Sequence, residues 1–579
     1  MELGGGRRPV ALAVAAVLLP VLVATIEALR RPWFATSDYG LIALQTMDVP
    51  GNLPLYGVYS RYGFHHPGPM LFFIYAVPMR LLGPNGMLLG AALINAAALV
   101  AAVIVLDRRG KRPLLVLGTL GLVVLELAAA DRLADPWNPW VPMLPFALAL
   151  LLAWSVWEHD WWSLPPLVLV LSFVVQTHLG YLLLAAWLIG VVMIVVGASW
   201  VRRREAPPCP PRILVVSAAV GLVAWALPLW DLVVGDPGNL RLIASHVLHS
   251  TESKVGATEA AHLIGRELGW LPPALGGAEP LQPLVGALVG RSLLAALPFL
   301  LVVVGAAVLA WRRRDWPPLR LLGVVGGGLA VGWFSITRYE GPAYPYLVRW
   351  LWPLVVLGLV AAGWTLQRAV VDRSTSGRSS SRDHSPRNRY ALIAGVVVIA
   401  GVSVAAAVAA GRAPRPNASF SVELEALADP VAAAVRGRGT VVMDQWGGWG
   451  EEQTGIVAEL ERRGVRVFVP DTEAFAYGAS RTVGDRVVDG VLVVAAEEGR
   501  VARRAGAGPA GGILVASFDP LDPDERVEAD ALAARAARAL LAEAAGLPTN
   551  DPLTAEEQER LRAYTDRGRP VDVYLDPAT

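Results

Sequence analysis

The chain has 579 residues, of which 54% are hydrophobic and 17% charged, with a mean hydropathy of +0.48; soluble domains carry about 25% charged residues. This balance excludes a purely soluble enzyme, and a formal net charge of +1 lacks the basic excess of a nucleic-acid binder. The only cysteine, Cys209, leaves no partner for an intramolecular disulfide.

In chain order, apolar runs at 9–29, 87–106, 113–130, 141–157, 163–177, 180–199, 212–233, 291–311, 319–336, 347–366 and 391–411 approach the roughly 20 residues that cross a bilayer, giving about eleven spans. Basic clusters punctuate them: "GRR" at 6–8, "DRRGKR" at 107–112, "VRRRE" at 201–205, "WRRRD" at 311–315 and the Ser/Arg-rich linker 371–389. Alternation puts every cluster on one side, which the positive-inside rule assigns to the cytoplasm together with the N-terminus. The first run reads as a signal anchor, because it is long for a signal peptide and no small-residue cleavage site precedes "EALRRPWF".

With that topology the outer connections contain "ATSDYGLIALQTMDVPGN", "YSRYGFHHPGP", "DRLADPWNPW", "VQTHLGY" and "TRYEGPAYPYLVRW". Carboxylates, histidines and aromatics converge on one surface, while arginine dominates the other. Asp38 follows the first span; it is a helix cap or a general base, a role that needs an ionised carboxylate within reach of the proton. Asp131 and Asp135, four residues apart, share a face if the helix continues, with Arg132 displaced from them. They are candidate second carboxylates or oxygen ligands for a divalent cation, or else a solvated span end with "DPW" as a turn. His65 and His66 beside "PGP" lie in a stiff, nonhelical connection where only one ring faces a site, and Arg61 belongs to the same segment. His178 interrupts an apolar hairpin, a depth at which a polar residue needs a reason. Arg338, Tyr339, Glu340 and Arg349 surround the re-entry of a late span, where a guanidinium fork matches phosphate oxygens or snorkels to lipid head groups. The many Trp and Tyr residues read mostly as interfacial anchors.

The organisation divides into a polytopic part, 1–411, and a soluble part, 412–579. The first has a catalytic-type core at about 9–366, the linker 371–389 and a last span 391–411. In the second, "GTVVMDQ", "GVRVFVP", "DGVLVVAA" and "GGILVASFDP" read as strands, and "EEQTGIVAELERRG" and "DERVEADALAARAARALLAEAAG" as helices. That alternation predicts an α/β domain with a mostly parallel sheet, extracytoplasmic after an odd number of spans. "GWGEEQTG" lacks the Lys-Ser/Thr ending of a phosphate loop, so its glycines read as turn residues.

This layout resembles the GT-C superfamily of membrane glycosyltransferases, which use polyprenyl-phosphate-linked sugars. Asp38 matches the acidic residue of the first outer loop in that family, and Asp131 or Asp135 matches a second acidic position after the third span. "YGLIALQTMDV" and "PMLFFIYAVPMRLLG" suit the surface helices of its first loop. "SRYGFHHPGPMLFF" and "GPAYPYLVRWLWP" are similar to segments of actinobacterial cell-envelope mannosyl- and arabinosyltransferases. The resemblance implies a membrane all-α fold in a GT-C-like arrangement with a C-terminal extracytoplasmic α/β domain. It implies transfer of a sugar from a polyprenyl-phosphate donor to a glycan or glycolipid acceptor among membrane lipids. Asp38, Asp131, Asp135, His65 and His66 would be catalytic, and Arg61, His178, Arg338, Tyr339, Glu340 and Arg349 would bind substrate. No cofactor is required by the pattern, although a divalent cation is one its carboxylates could hold. The alternatives are a transporter or flippase of a lipid-linked intermediate and a nonenzymatic membrane scaffold.

Overall fold

The computed structural model describes residues 7–202, 208–269, 272–275, 291–375, 386–447, 450–544 and 551–578. The chain forms two compact units, one of residues Met1–Arg31 and Asn52–Ala413, the other of Pro32–Gly51 and Pro414–Thr579.

The first unit is helical. Among the described residues, 8 helices are long and apolar enough to cross a membrane, and Met70–Leu82, Met143–Trp157 and Trp161–Thr177 are shorter apolar helices. The chain is therefore a multi-pass membrane protein. The expected spans 87–106 and 113–130 fall in one helical stretch, Asn85–Ala128, with Pro113 inside it. The two halves nevertheless lie side by side. Leu106 Cδ1 sits 2.5 Å from the position of a Cβ on Gly118, and Asn95 Nδ2 donates to the Leu133 carbonyl at 3.0 Å. The chain thus turns back near the basic stretch 107–112, where Pro113 removes a backbone donor. The Arg7–Leu29 helix carries Pro20, which cannot donate to the Ala16 carbonyl. Ser403 of the Pro386–Arg412 helix donates its hydroxyl there instead, at 2.7 Å, satisfying a group that has no water to turn to. The helix Leu351–Thr375 covers the first five residues of the expected linker 371–389, and residues 376–385 of it lie outside the described residues.

The second unit carries a four-stranded sheet: β1 (Val441–Trp446), β2 (Gly490–Ala496), β3 (Ile513–Phe518) and β4 (Val571–Pro577), in the order β1-β2-β4-β3. β1 and β2 are parallel, with Val441 opposite Gly490. β4 runs antiparallel to both β2 and β3, so the expectation of a mostly parallel sheet is corrected. The cause is "VDVYLDP", an alternating strand after the last helix that inserts between β2 and β3. The continuous apolar run of β2 suits its central, buried place. "GVRVFVP" contributes only isolated parallel bridges, Val442 to Phe468 and Val469 to Thr482.

The helix Asp38–Met47 also belongs to this unit and buries Tyr39, Leu41, Ile42, Ala43 and Leu44. The "YGLIALQTMDV" segment is therefore a core helix here, where a membrane-surface helix was expected. Its neighbours in the chain are tied down too: Trp33 Nε1 donates to the Pro416 carbonyl at 2.7 Å, and the Phe34 amide donates to Ser421 Oγ at 2.9 Å. Arg481, 4% exposed, clamps the helix by pairing with both Asp48 oxygens at 2.9 Å and donating to the Leu44 carbonyl at 3.1 Å.

Candidate functional site

Within the first unit, helix ends and connections bring most of the predicted site residues into one continuous cluster. Its first wall is the segment "YSRYGFHHPGP". The Gly57 amide donates to the His66 carbonyl and the His66 amide to the Val58 carbonyl, at 2.8 Å each, and Tyr59 bridges His65 in antiparallel fashion. Gly63 takes φ +75° in the turn, a conformation glycine adopts without steric cost. Asn239 holds the strand end from outside. Its Oδ1 accepts from the His65 amide at 2.7 Å and its Nδ2 donates to the His65 carbonyl at 3.0 Å. Its own amide donates to Asp231 at 2.6 Å. The adjacent histidines meet different neighbours. The His65 ring packs on Tyr56 with centroids 4.3 Å apart, and the His66 ring packs on His178 at 4.8 Å.

His178 ends the helix Leu164–Thr177 in an extended conformation, with φ −150°. Its Nδ1 accepts from the Gly180 amide at 3.2 Å, and His66 Nδ1 accepts from the Leu179 amide at 3.1 Å. An Nδ1 that accepts has no proton, so each neutral ring carries its hydrogen on Nε2. Burial pushes His178 down to about 4. Burial first, then the neighbouring His178 and His65, pushes His66 well below the ordinary imidazole value. The Nδ1 lone pair of His66 is committed to a backbone amide, so the neutral ring meets a ligand only as an Nε2–H donor.

The second wall is "DRLADPWNPW". The helix ends at Ala128 and a single 3₁₀ turn, Ala130–Arg132, follows. The four-residue spacing of Asp131 and Asp135 therefore does not place them on a helical face, and Arg132 is not displaced from them. It lies between them, 3.1 Å from Asp131 Oδ2 and 3.0 Å from Asp135 Oδ2. Asp135 is buried and also accepts from the Trp137 amide at 3.0 Å. The Asp131 side chain keeps 41% exposure. The Arg132 guanidinium stacks on the Trp140 ring at 4.7 Å, and Arg349 reaches the same ring at 5.7 Å. Arg349 is 3% exposed; its group lies 4.5 Å from the Trp352 ring and 3.8 Å from Glu267 Oε2.

Trp137 and Tyr346 join the walls, with centroids 4.9 Å apart, and Tyr346 lies 6.5 Å from His178. Tyr344 stacks on Tyr346 at 5.7 Å and carries Arg61 at 5.3 Å. Arg61 donates to the Tyr62 hydroxyl at 2.8 Å, Tyr62 donates to the Glu340 carbonyl at 3.1 Å, and the Glu340 carboxylate meets His246 Nε2 at 2.9 Å. Tyr339 donates to the Leu347 carbonyl at 2.9 Å and accepts from Trp350 at 3.1 Å; burial pushes its phenol up to about 12. Arg338 is exposed at the end of the Trp316–Thr337 helix, and no described contact ties it to the cluster. Asp38 belongs to the second unit, in the first turn of its helix; among the described residues the preceding Ser37 side chain makes no capping bond there.

Trp137, Trp140, Tyr346, Asn239, His246 and Glu267 are among the participants that the sequence does not single out. The doubled Pro-Trp of "DPWNPW" was the available signal, absorbed into the expectation of interfacial anchors. Among the described residues no group of three or more His, Cys, Asp or Glu side chains could hold a metal ion.

Beside this cluster, the helices Leu164–Thr177, Leu182–Val201 and Pro211–Val234 enclose an apolar cleft of about 860 Å³. Val175 and Leu182 line it, on either side of the His178 turn in the chain. Trp225 Nε1 donates to Ser172 Oγ at 3.0 Å and Gln176 Nε2 to the Ala224 carbonyl at 2.7 Å, tying the helices together there.

No protein-family model and no curated protein matches the chain. Solved structures do. ArnT from Cupriavidus metallidurans bound to undecaprenyl phosphate is similar over 88% of this chain and 96% of that one, with 14% identity and a TM-score of 0.52. The apo form of the same protein is similar over the same shares, with 15% identity and the same TM-score. At this identity the likeness shows a shared fold.

Proposed function

We propose that the protein is a membrane glycosyltransferase that moves a sugar from a polyprenyl-phosphate donor to an acceptor hydroxyl outside the cytoplasmic membrane. The observation that carries the reading is the pair of guanidinium groups, Arg132 and Arg349, on one indole, with carboxylates in the same cluster. Planar guanidinium groups recognise phosphate oxygens, and the leaving group of such a donor is a phosphate. The shared fold with a structure that holds undecaprenyl phosphate supports the same donor class. The apolar cleft running to the His178 turn offers room for part of a polyprenyl chain.

In the proposed step a carboxylate removes the proton of the acceptor hydroxyl as its oxygen bonds to the anomeric carbon. The bond from that carbon to the phosphate oxygen breaks, and the phosphate departs with the electron pair. Positive charge held beside the departing oxygen stabilises what develops there. Asp38 is the proposed base, from the family resemblance; Asp131, the more exposed of the two cluster aspartates, is the alternative. Arg349→Ala should reduce donor turnover by roughly 10²-fold, the scale of removing one oxyanion donor. Lys at 349 should restore part of it, since it keeps the charge and loses the fork. Arg368, bound at 2.6 and 2.8 Å to Asp315, is the control, and its Ala variant should turn over donor at the wild-type rate. Equal donor turnover in wild type and folded Arg349→Ala would remove Arg349 from the site.

One observation favours a transporter or flippase instead. Glu126, within a predicted span, is fully buried, and neither carboxyl oxygen has a partner among the described residues. Isolated acids inside membranes often serve ion coupling. Glu126→Gln should leave sugar transfer intact under the leading reading.

A further inference from the structure

We infer that His66 and His178 form a paired hydrogen-bond donor that receives hydroxyl oxygens of an uncharged sugar ring and rejects a sugar bearing a cationic amine at that place. The inference deepens the glycosyl-transfer reading and rests on it, because it assigns the sugar subsite and the class of sugar.

The two rings lie 4.8 Å apart, and both Nδ1 atoms are occupied by backbone amides, of Leu179 and Gly180. That leaves Nε2–H as the ring group able to meet a ligand, and it can only donate. Among the described residues neither Nε2 has a protein partner, and the residues retain 9% and 6% exposure. Two more polar groups near His178 are buried without a partner among the described residues: the hydroxyls of Thr177 and Tyr181. The Tyr181 ring is 6.1 Å from His178. Buried polar atoms in native proteins are nearly always satisfied, so a concentration of unsatisfied ones marks a place completed by something else. The Tyr346 ring lies edge-to-face with that of His178 and the Trp137 ring edge-to-face with that of Tyr346, an aromatic border against which the C–H groups of a pyranose can pack while its hydroxyls meet the N–H and O–H groups.

The charge pattern selects among sugars. An ammonium group has no lone pair to receive the two Nε2–H donors, and the only acceptors the place offers it are the uncharged Thr177 and Tyr181 hydroxyls. The carboxylates of the cluster already face cations or an imidazole: Asp131 and Asp135 meet Arg132, Glu267 lies 3.8 Å from Arg349, and Glu340 meets His246. Low imidazole basicity keeps the pair neutral near pH 7.

The test uses the purified full-length protein in nanodiscs, with tryptophan fluorescence and thermal melting as readouts. The probes are methyl glycosides of glucose, mannose and galactose against their 2-amino-2-deoxy counterparts. At least one neutral glycoside should bind roughly tenfold more tightly than its amino counterpart, the scale of one or two lost hydrogen bonds. His178→Asn keeps a short capping side chain beside Gly180 and removes the ring donor; it should weaken neutral-glycoside binding by roughly tenfold with the melting temperature retained. His66→Gln, a second variant, guards against a folding failure of the first. Equal binding of neutral and amino glycosides, no binding of either, or unchanged neutral-glycoside binding in both folded variants would overturn the inference. Transfer assays separate its failure from that of the broader reading. An amino sugar transferred as fast as a neutral one overturns the subsite and leaves glycosyl transfer standing. The predicted preference with no transfer from any polyprenyl-linked sugar leaves the subsite standing and removes glycosyl transfer.

Discussion

At the scale of single residues, the side chains best placed to act on a substrate are distinguished by what their neighbours leave free. His178 shows how this fixes a pH response. Its pKa of about 4 lies below the ordinary imidazole value near 6.5, so between those values the unfolded chain binds more protons than the folded one. The contribution of the neutral ring is present above pH about 6.5 and is lost as pH falls through about 4. Thermal melting between pH 7 and pH 4 should show a falling transition temperature, less steep in His178→Asn. The polar residues of this turn were legible in sequence because a histidine in an apolar hairpin stands out. Their tautomers were not, since these depend on amides of Leu179 and Gly180 whose positions only the fold supplies. The place of Arg132 is not legible in sequence, because the helix stops at Ala128 and the chain turns there.

At the scale of elements, the segment "YSRYGFHHPGP" behaves as a rigid hairpin because backbone approaches too close for any side chain hold it. A Cβ on Gly57 would sit 2.7 Å from the Gly68 carbonyl oxygen and 2.9 Å from that of His66. Since those neighbours are backbone, Gly57→Ala should destabilise the first unit by about 1–3 kcal/mol, the range of overpacking changes. A melting temperature equal to wild type would show that the hairpin yields. The sequence announced this rigidity through its prolines and glycines, but not Asn239, which lies more than 170 positions along the chain and makes its contact only through folding. The helix Asp38–Met47 offers the opposite lesson. Its amphipathic pattern fitted a membrane surface, and the partner that buries it, Arg481 with Glu461 at 2.8 Å, comes from the far end of the chain. Arg481→Met should cost roughly 3 kcal/mol by leaving Asp48 without its cation, read as a lower unfolding transition of the second unit.

At the scale of the whole molecule, hydropathy makes the multi-pass character plain, while several helix ends differ from the apolar runs, as in Leu351–Thr375, which extends past the expected 366. The sheet was read less well, since β4 is a single alternating stretch at the end of the chain and its antiparallel insertion leaves no mark on its neighbours. Orientation rests on the basic clusters, and reporters fused after Arg204 and Arg378 should read cytoplasmic while one after Pro430 reads extracytoplasmic. The central claim is sugar transfer from a polyprenyl-phosphate donor, and its most direct test is that reaction in purified protein. Wild type, Asp38→Asn and Asp131→Asn would be supplied with a panel of polyprenyl-phosphate-linked sugars, release of polyprenyl phosphate would be followed over time, and thermal melting would serve as the control for folding. The account predicts release by wild type and a fall of roughly 10²–10⁴ in Asp38→Asn, the scale of losing a general base, at an unchanged melting temperature. Undiminished release in Asp38→Asn with a loss in Asp131→Asn would move the base to Asp131. The absence of release by wild type from every donor would contradict the account.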